Sequence, residues 1–260
     1  LGALDSRGEI TNFGRTLATL PVDPRLGAAL LKLGSGAAPT VAAIAEGLSG
    51  DLSRVDPPRN QVNRLAKLAP KGPPVAAGEV VSTAFPQWVA KRMGEEYLLA
   101  SGTRATLDPK INLTGAEWIA AAEVQRTKHN AVIRAAAATQ LPTERITQGY
   151  RAHVNKDKVQ LRKVKAIGAI ELSATPVALN TSTTAAASEA LEEAAASFRF
   201  EDFLLDNNER DLLSRLTFLH EQAGWPDISR GDYAVEVGEV LRGASISKCD
   251  MRAAMMRNLP

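Results

Sequence analysis

The sequence is poor in cysteine, histidine and aromatic residues, and each shortage excludes a class of protein. One cysteine among 260 residues excludes a fold held by internal disulfides and is typical of a reducing compartment. The three histidines, His129, His153 and His220, are far apart and form no CxxC, HxE or HxxxH pair, so we predict no metal site. Aromatic residues make up 5% of the chain, which argues against sequence-specific reading of nucleic-acid bases.

The sequence also lacks long apolar runs. None approaches the roughly 18 residues that a membrane-spanning helix needs. The start, Leu1 to Asp5, has neither the charged nor the apolar region of a signal peptide. We therefore expect a cytoplasmic protein with no membrane partner. The missing initial methionine and the abrupt end at Leu259-Pro260 predict that the chain comes from a longer protein.

Motifs for nucleotide hydrolysis and nucleophilic catalysis are absent. No GxxxxGK[ST] loop can hold phosphates, and no GxSxG turn can present a serine. Gly34-Ser35-Gly36 is the nearest glycine-rich piece, but it lacks the lysine and follows a predicted helix. The neighbours Glu95 and Glu96 point in different directions on any regular element, so they do not form an acid–base pair. We predict no catalytic residue and no cofactor bound by this chain.

The net charge of +2 conceals an uneven distribution. Residues 1–165 contain 23 Lys and Arg against 14 Asp and Glu, whereas residues 166–260 contain 8 against 15. Such a separation predicts either a part that binds polyanions beside a part that avoids them, or two parts that attract each other.

Helical patterns are found at both ends of the chain. Asp23-Pro24 is typical of a helix start, and apolar residues then follow at helical spacing up to Gly34. A later helix should be capped by Asn208 and end at Gly224. The other predicted helices cover residues 39–48, 60–68, 188–198, 231–241 and 248–258.

The middle of the chain is predicted to be rich in β-strands. Pro70 to Gly78 contains three prolines and two glycines, so we interpret it as a linker and a domain boundary. The alanine-rich segments 117–126 and 131–139 suit either helices or strands, and the turn signal at Lys128-His129-Asn130 favours strands. The predicted domains are residues 1–70, 71–181 and 182–260.

Two groups of basic residues are candidates for binding nucleic acid. The first faces only one acid, Asp157, on a segment that we expect to be extended. Leu161 should then point inward and Arg162 outward, and a shift near Lys163 should bring Lys163 and Lys165 outward too. Such a ribbon either binds phosphates or is an edge strand that its lysines protect from aggregation. The members are Arg151, Lys156, Lys158, Arg162, Lys163 and Lys165.

The second group surrounds the third predicted helix. Arg64 and Lys67 are three residues apart on it and therefore share one face. This face is a candidate lining for a channel that holds a nucleic-acid strand. The group consists of Arg54, Arg59, Arg64, Lys67 and Lys71.

Several segments resemble one helicase family. Residues 1–15, LGALDSRGEITNFGR, and residues 20–26, LPVDPRL, resemble the junction of winged-helix and ratchet-like helical domains in DEAH/RHA helicases. The extension that distinguishes the HrpB family of DEAH/DExH-box RNA helicases is similar to residues 84–92, 97–102, 117–118, 165–170 and 224–227.

The resemblance implies an α+β fold with a ratchet-like helical bundle, a remnant of a winged helix, a β-rich middle for which an OB-like barrel is an option, and a helical C-terminal part. It implies the accessory C-terminal region of an ATP-dependent helicase, whose motor domains, with ATP and Mg²⁺, belong to other sequence. The implied partners are these motor domains and single-stranded RNA, with DNA as an alternative. Arg25 would face the strand. The alternative is a protein-interaction or structural extension that does not bind RNA.

Overall fold

A computed structural model describes residues 1–113, 115–127, 130–155, 158–177, 189–190, 205–228 and 250–256. Its contacts divide the chain into two units. The first consists of Leu1–Ile146 with Ile167–Ile170, and the second of Thr147–Ala166 with Glu171–Pro260. In the part of the chain described, no helix is both long and apolar enough to cross a membrane. Helices and strands are both present, which confirms the α+β class.

The first unit begins with a helical bundle whose helices start at recognisable caps. The Thr11 hydroxyl accepts a hydrogen bond from the Gly14 amide, and the Asp23 carboxylate accepts one of 2.8 Å from the Arg25 amide. The helices predicted near residues 24, 39 and 60 are confirmed. The five helices are α1 (Asn12–Ala18), α2 (Pro24–Leu33), α3 (Ala38–Ala45), α4 (Arg59–Leu68) and α5 (Ala77–Ala84).

A closed barrel of five strands follows the bundle. Its strands are β2 (Val89–Met93), β3 (Glu96–Leu99), β4 (Arg104–Leu107), β5 (Trp118–Arg126) and β6 (Ala131–Ala138). They lie in the order β2-β3-β4-β6-β5, and β5 pairs with β2 to close the barrel. The β4–β6 pairing is parallel and the others are antiparallel. The two-residue strand β1 (Gly50–Asp51) pairs in parallel with β6 at Ala135 and Ala136 and is not one of the five barrel strands.

The alanine-rich segments are strands, as predicted, because both of their faces are buried. Ala120 and Ala137 pack with the helical bundle, whereas Ala121 and Ala136 lie in the core of the barrel. A small side chain allows backbones to approach closely, and a Cβ on Gly78 of α5 would lie 2.0 Å from the Ala138 carbonyl oxygen. Close packing against α5 therefore stabilises these segments as strands, although alanine has a high helix propensity.

The shared core explains why contacts do not divide the chain at residue 70. Leu30, Val41 and Leu65 of the bundle belong to the same buried cluster as Val80 of α5 and the outward alanines of the barrel. The Pro70 to Gly78 segment is itself packed, because the Ser35 amide donates to the Pro70 carbonyl oxygen at 2.8 Å. Its three prolines and Gly72 lie in irregular backbone, which ends where α5 begins at Ala77.

The second unit contains a three-stranded sheet and further helices. Its strands are β7 (Thr147–Asn155), β8 (Lys158–Ile167) and β9 (Ile170–Val177), with β8 in the middle. Helix α6 (Asn207–Ala223) is capped by Asp206 rather than by Asn208, because the Asp206 carboxylate and Glu209 form a reciprocal capping box. Helix α7 is Met251–Met256. The helix predicted at 231–241 and most of that at 188–198 lie outside the described residues.

Candidate nucleic-acid interface

Helix α4 presents a polar face that contains cations and amides but no acid. Leu65 is buried and anchors the opposite side of the helix in the core. The sequence of α4, RNQVNRLAKL, contains no Asp or Glu, so nothing within the helix neutralises its positive charge. We call the exposed side the α4 face, and it consists of Arg59, Asn60, Asn63, Arg64 and Lys67.

The cations of the α4 face are available to a ligand. Within the part of the chain that the structure describes, Arg59, Arg64 and Lys67 have no ion pair. The nearby Arg54 differs, because its Nε lies 3.3 Å from the carboxylate of Asp51. Three of the basic residues predicted to bind nucleic acid thus lie together on one exposed surface.

Arg25 is engaged within the protein. Its Nε and Nη2 each lie 3.2 Å from an oxygen of Asp23, and its guanidinium carbon lies 5.0 Å from the centre of the Phe85 ring. Phe85 in turn stacks on Trp88 with 5.3 Å between ring centres. The hydrogen bonds from Arg25 lower the pKa of Asp23 below its usual 3.8. This arrangement clamps the start of α2 to the segment before the barrel.

The β7–β8 ribbon differs from its prediction in two ways. The register is continuous from Thr147↔Ala166 to Asn155↔Lys158, so the shift expected near Lys163 is absent. Lys163 and Lys165 are exposed, but they share a face with Leu161 because side chains alternate along a strand. The edge-strand interpretation does not apply to these lysines, since β8 is the central strand.

Arg151 and Arg162 lie on the opposite face of the ribbon, directly across from each other. Both face Glu171 of β9, at 2.8 Å from Arg151 and 3.9 Å from Arg162. The ion pairs of Glu171 were not predicted, because Glu171 follows the basic segment in sequence and contacts it only through strand pairing. Lys163 and Lys165 are therefore the more accessible cations of the ribbon. Lys156 and the side chain of Lys158 lie outside the described residues.

The aromatic rings of the barrel are buried. Tyr97 and Trp118 expose 2% and 6% of their surfaces, and Phe85 exposes 4%. The Lys91 ammonium lies 5.7 Å from the centre of the Trp118 ring and 3.9 Å from the Glu117 carboxylate. Among the residues that the structure describes, the barrel thus has no fully exposed ring on which a base can stack.

The described residues contain no group of three His, Cys, Asp or Glu side chains placed to hold a metal ion. The geometry therefore offers cationic and amide groups for binding, at the α4 face in the first unit and at Lys163 and Lys165 in the second. Asn60 and Asn63 of the α4 face were missed by sequence reasoning that searched for charge. Their positions one turn from Arg64 and Lys67 are the signal that would have found them.

The start of the chain matches a helicase-associated family. Residues 1–22 match the model described as "Helicase associated domain (HA2), winged-helix". These residues form the Leu4↔Ile10 bridge and helix α1. The match covers residues 1–15 and the first three residues of 20–26, the two segments that resemble DEAH/RHA helicases. A comparison with curated proteins found no match.

The fold of the whole chain matches solved structures of HrpB from E. coli. One is titled "Crystal structure of E. coli DExH-box NTPase HrpB" and has 20% sequence identity and a TM-score of 0.62. The other, "Crystal structure of Escherichia coli DEAH/RHA helicase HrpB", has 19% identity and a TM-score of 0.63. Each comparison covers 100% of this chain and 37% of the other, so this chain spans about a third of the length of those proteins. The predicted resemblance to HrpB is confirmed at the level of the fold.

Proposed function

We propose that this chain is an accessory C-terminal region of an ATP-dependent RNA helicase and that it holds single-stranded RNA for the motor domains. The observation that carries the proposal is the acid-free α4 face, with Arg59, Arg64 and Lys67 exposed and unpaired among the described residues. The likeness to HrpB and the helicase-associated match at residues 1–22 support a helicase context.

Binding through the α4 face would be largely independent of base sequence. Lys and Arg side chains attract phosphates, and phosphate contacts fix the position of a strand without reading its bases. The burial of Tyr97 and Trp118 supports this mode over base stacking on the barrel. Within the second unit, Lys163 and Lys165 are a separate candidate for phosphate contact.

We assign the barrel to the OB type. Its first three strands form an antiparallel meander, its third and fifth strands pair in parallel, and its fourth strand pairs with its first. This connectivity supports a five-stranded Greek-key barrel, a class that binds oligonucleotides. Residues 1–22 would be the end of a winged-helix domain that precedes the ratchet-like bundle.

ATP hydrolysis is assigned to other parts of a longer, cytoplasmic protein. This chain has no GxxxxGK[ST] sequence with which to bind the phosphates of ATP and its Mg²⁺, so the residues present do not fit that cofactor. The chain would act by keeping the strand in place between cycles of the motor, with the motor domains as its partners in the same protein.

Charge reversal on the α4 face tests the proposal. We expect Arg64→Glu with Lys67→Glu to weaken binding of a fluorescein-labelled oligouridylate roughly tenfold or more at low salt, because two attractions become repulsions. The slope of log affinity against log salt should fall in magnitude by roughly 1.4, or 0.7 for each lost phosphate contact on a single strand. Fluorescence anisotropy measures both quantities.

The matched control reverses two exposed cations elsewhere in the first unit, Arg15→Glu with Lys110→Glu. Both double variants change the net charge equally, so a general electrostatic effect would weaken binding in both. Equal weakening removes the α4 face from the proposal. Lys163→Glu with Lys165→Glu tests the ribbon in the same way, and unchanged affinity would exclude the ribbon alone.

The second candidate function is a protein-interaction or structural extension. Phe218 of α6 exposes 60% of its surface, in a part of the chain with more acids than bases. An apolar protein interface does not weaken steeply with salt, whereas phosphate binding does. Absence of RNA binding by the unaltered chain at low salt would favour this second function.

A further inference from the structure

On the α4 face, each of two asparagine amides lies one helical turn from a cation. Asn60 precedes Arg64 by four residues, and Asn63 precedes Lys67 by four. Residues four apart are neighbours on a helix surface, with about 5–6 Å between their Cβ atoms. All four side chains are exposed. The face thus presents two copies of one amide–cation unit.

Among the described residues, the side-chain amides of Asn60 and Asn63 have no structural role as helix caps or hydrogen-bond partners. Asparagine is a weak helix former whose usual structural role is to cap a helix. The cap position of α4 is occupied by Pro58, and no side chain caps the helix. Among the described residues, Asn60 and Asn63 have no side-chain hydrogen bond. Alanine or glutamate has a higher helix propensity than asparagine at exposed positions.

An amide beside a cation matches the chemistry of a ribonucleotide backbone. The ribose 2′-hydroxyl both donates and accepts hydrogen bonds, as an asparagine amide does, and it is the group that distinguishes RNA from DNA. The phosphate that follows each ribose carries the negative charge that Arg or Lys attracts. The two units are offset by about 4.5 Å along the helix axis. This offset is of the same order as the rise of about 3.4 Å per nucleotide along one strand of a duplex.

We propose that Asn60 and Asn63 bind ribose 2′-hydroxyl groups while Arg64 and Lys67 bind the adjacent phosphates, so that the α4 face prefers RNA to DNA of the same sequence. This inference rests on the proposed function and names its substrate. It requires no base contact, in keeping with the buried rings of the barrel. Sugar recognition therefore accompanies binding that is indifferent to base sequence.

The test compares an oligouridylate with the oligodeoxyuridylate of equal length, which differ only in the 2′-hydroxyl. The unaltered chain should bind the RNA roughly three- to tenfold more tightly, as one or two net hydrogen bonds would give. Asn60→Ala with Asn63→Ala should bring the ratio of the two affinities close to one and leave the salt dependence unchanged. Anisotropy titrations at two salt concentrations measure both.

Asn12→Ala with Asn112→Ala is the matched control, because both residues are exposed asparagines of the first unit outside α4. This variant should keep the preference for RNA. Equal affinity of the unaltered chain for both oligomers, or a preference that survives in the α4 amide variant, overturns the inference and leaves the proposed function standing. Salt-insensitive binding, or none at all, overturns both.

Discussion

Gly36 lies against Pro73 so closely that a Cβ on Gly36 would be 1.6 Å from the Pro73 carbonyl oxygen. The atom that it would meet belongs to the backbone, which cannot move aside as a flexible side chain can. Gly36 therefore determines how the Pro70 to Gly78 segment packs on the bundle.

We expect Gly36→Ala to lower the free energy of unfolding by about 3 kcal/mol, the upper end of the roughly 1–3 kcal/mol that overpacking costs when side chains and backbone must shift. Urea denaturation followed by circular dichroism measures the change. Gly115→Ala is the control, because nothing lies within 4 Å of the Cβ it would add. A similarly small loss of stability in both variants would show that the Pro70 to Gly78 segment shifts easily to accommodate the added methyl group.

Tyr97 gives the first unit a dependence on alkaline pH. Its hydroxyl lies 2.7 Å from the Ala116 carbonyl oxygen and 3.0 Å from that of Leu113, and its proton is the donor. Burial raises the pKa of Tyr97 above its usual 10.0. The unfolded chain thus loses this proton first, so stability is full below pH 10.0 and falls as the pH rises through the folded pKa.

The Tyr97→Phe variant should unfold about 1–2 kcal/mol more easily at neutral pH, because the buried carbonyls lose their donor. It should also lose less stability than the unaltered chain between about pH 9 and 11, one unit on either side of the ordinary tyrosine pKa of about 10. Denaturation midpoints across this range measure the difference. Parallel curves for the two proteins would show that Tyr97 does not titrate within the fold.

Arg25 and Arg64 should separate stability from binding. Arg25→Ala removes a partly exposed ion pair and a contact with the Phe85 ring, so it should cost about 1 kcal/mol of stability and leave RNA affinity nearly unchanged. Arg64→Ala should instead weaken RNA binding and leave the stability nearly unchanged, because Arg64 is exposed and has no ion pair among the described residues. Thermal melts and anisotropy on both variants measure the contrast. A large loss of RNA affinity in Arg25→Ala would place that residue at the strand instead.

Local patterns predicted several elements of the first unit, namely α2, α3, α4, β5 and β6. The Asp23-Pro24 start of α2 follows from its local cap signal. For the alanine-rich strands β5 and β6 the turn signal between them favoured strands, but packing against α5 was also needed. Closure of the barrel depends on pairings between segments distant in sequence, such as β4 with β6, which no local pattern contains. The packed course of Pro70 to Gly78 has the same origin, because its partner is Ser35.

The candidate site was also only partly predictable, because some of its features depend on local pattern and others on contacts between distant segments. Charge and helical spacing locate Arg64 and Lys67, whose exposure depends only on the amphipathic pattern of α4. The contact of Arg25 with Phe85 and the pairing of Arg162 with Glu171 were not predictable, since these partners meet only in the folded chain. Counting charges along a segment cannot reveal which of them the fold neutralises.

The core that the bundle and the barrel share also limits how this chain can be divided or recombined. Residues 71–146 expressed alone would expose the apolar side of α5 that contains Val80, and residues 1–70 alone would lose the surface that covers Leu30 and Val41. Each half would then be prone to aggregate. In the evolution of such proteins, the bundle and the barrel should therefore be inherited, duplicated or lost as one block.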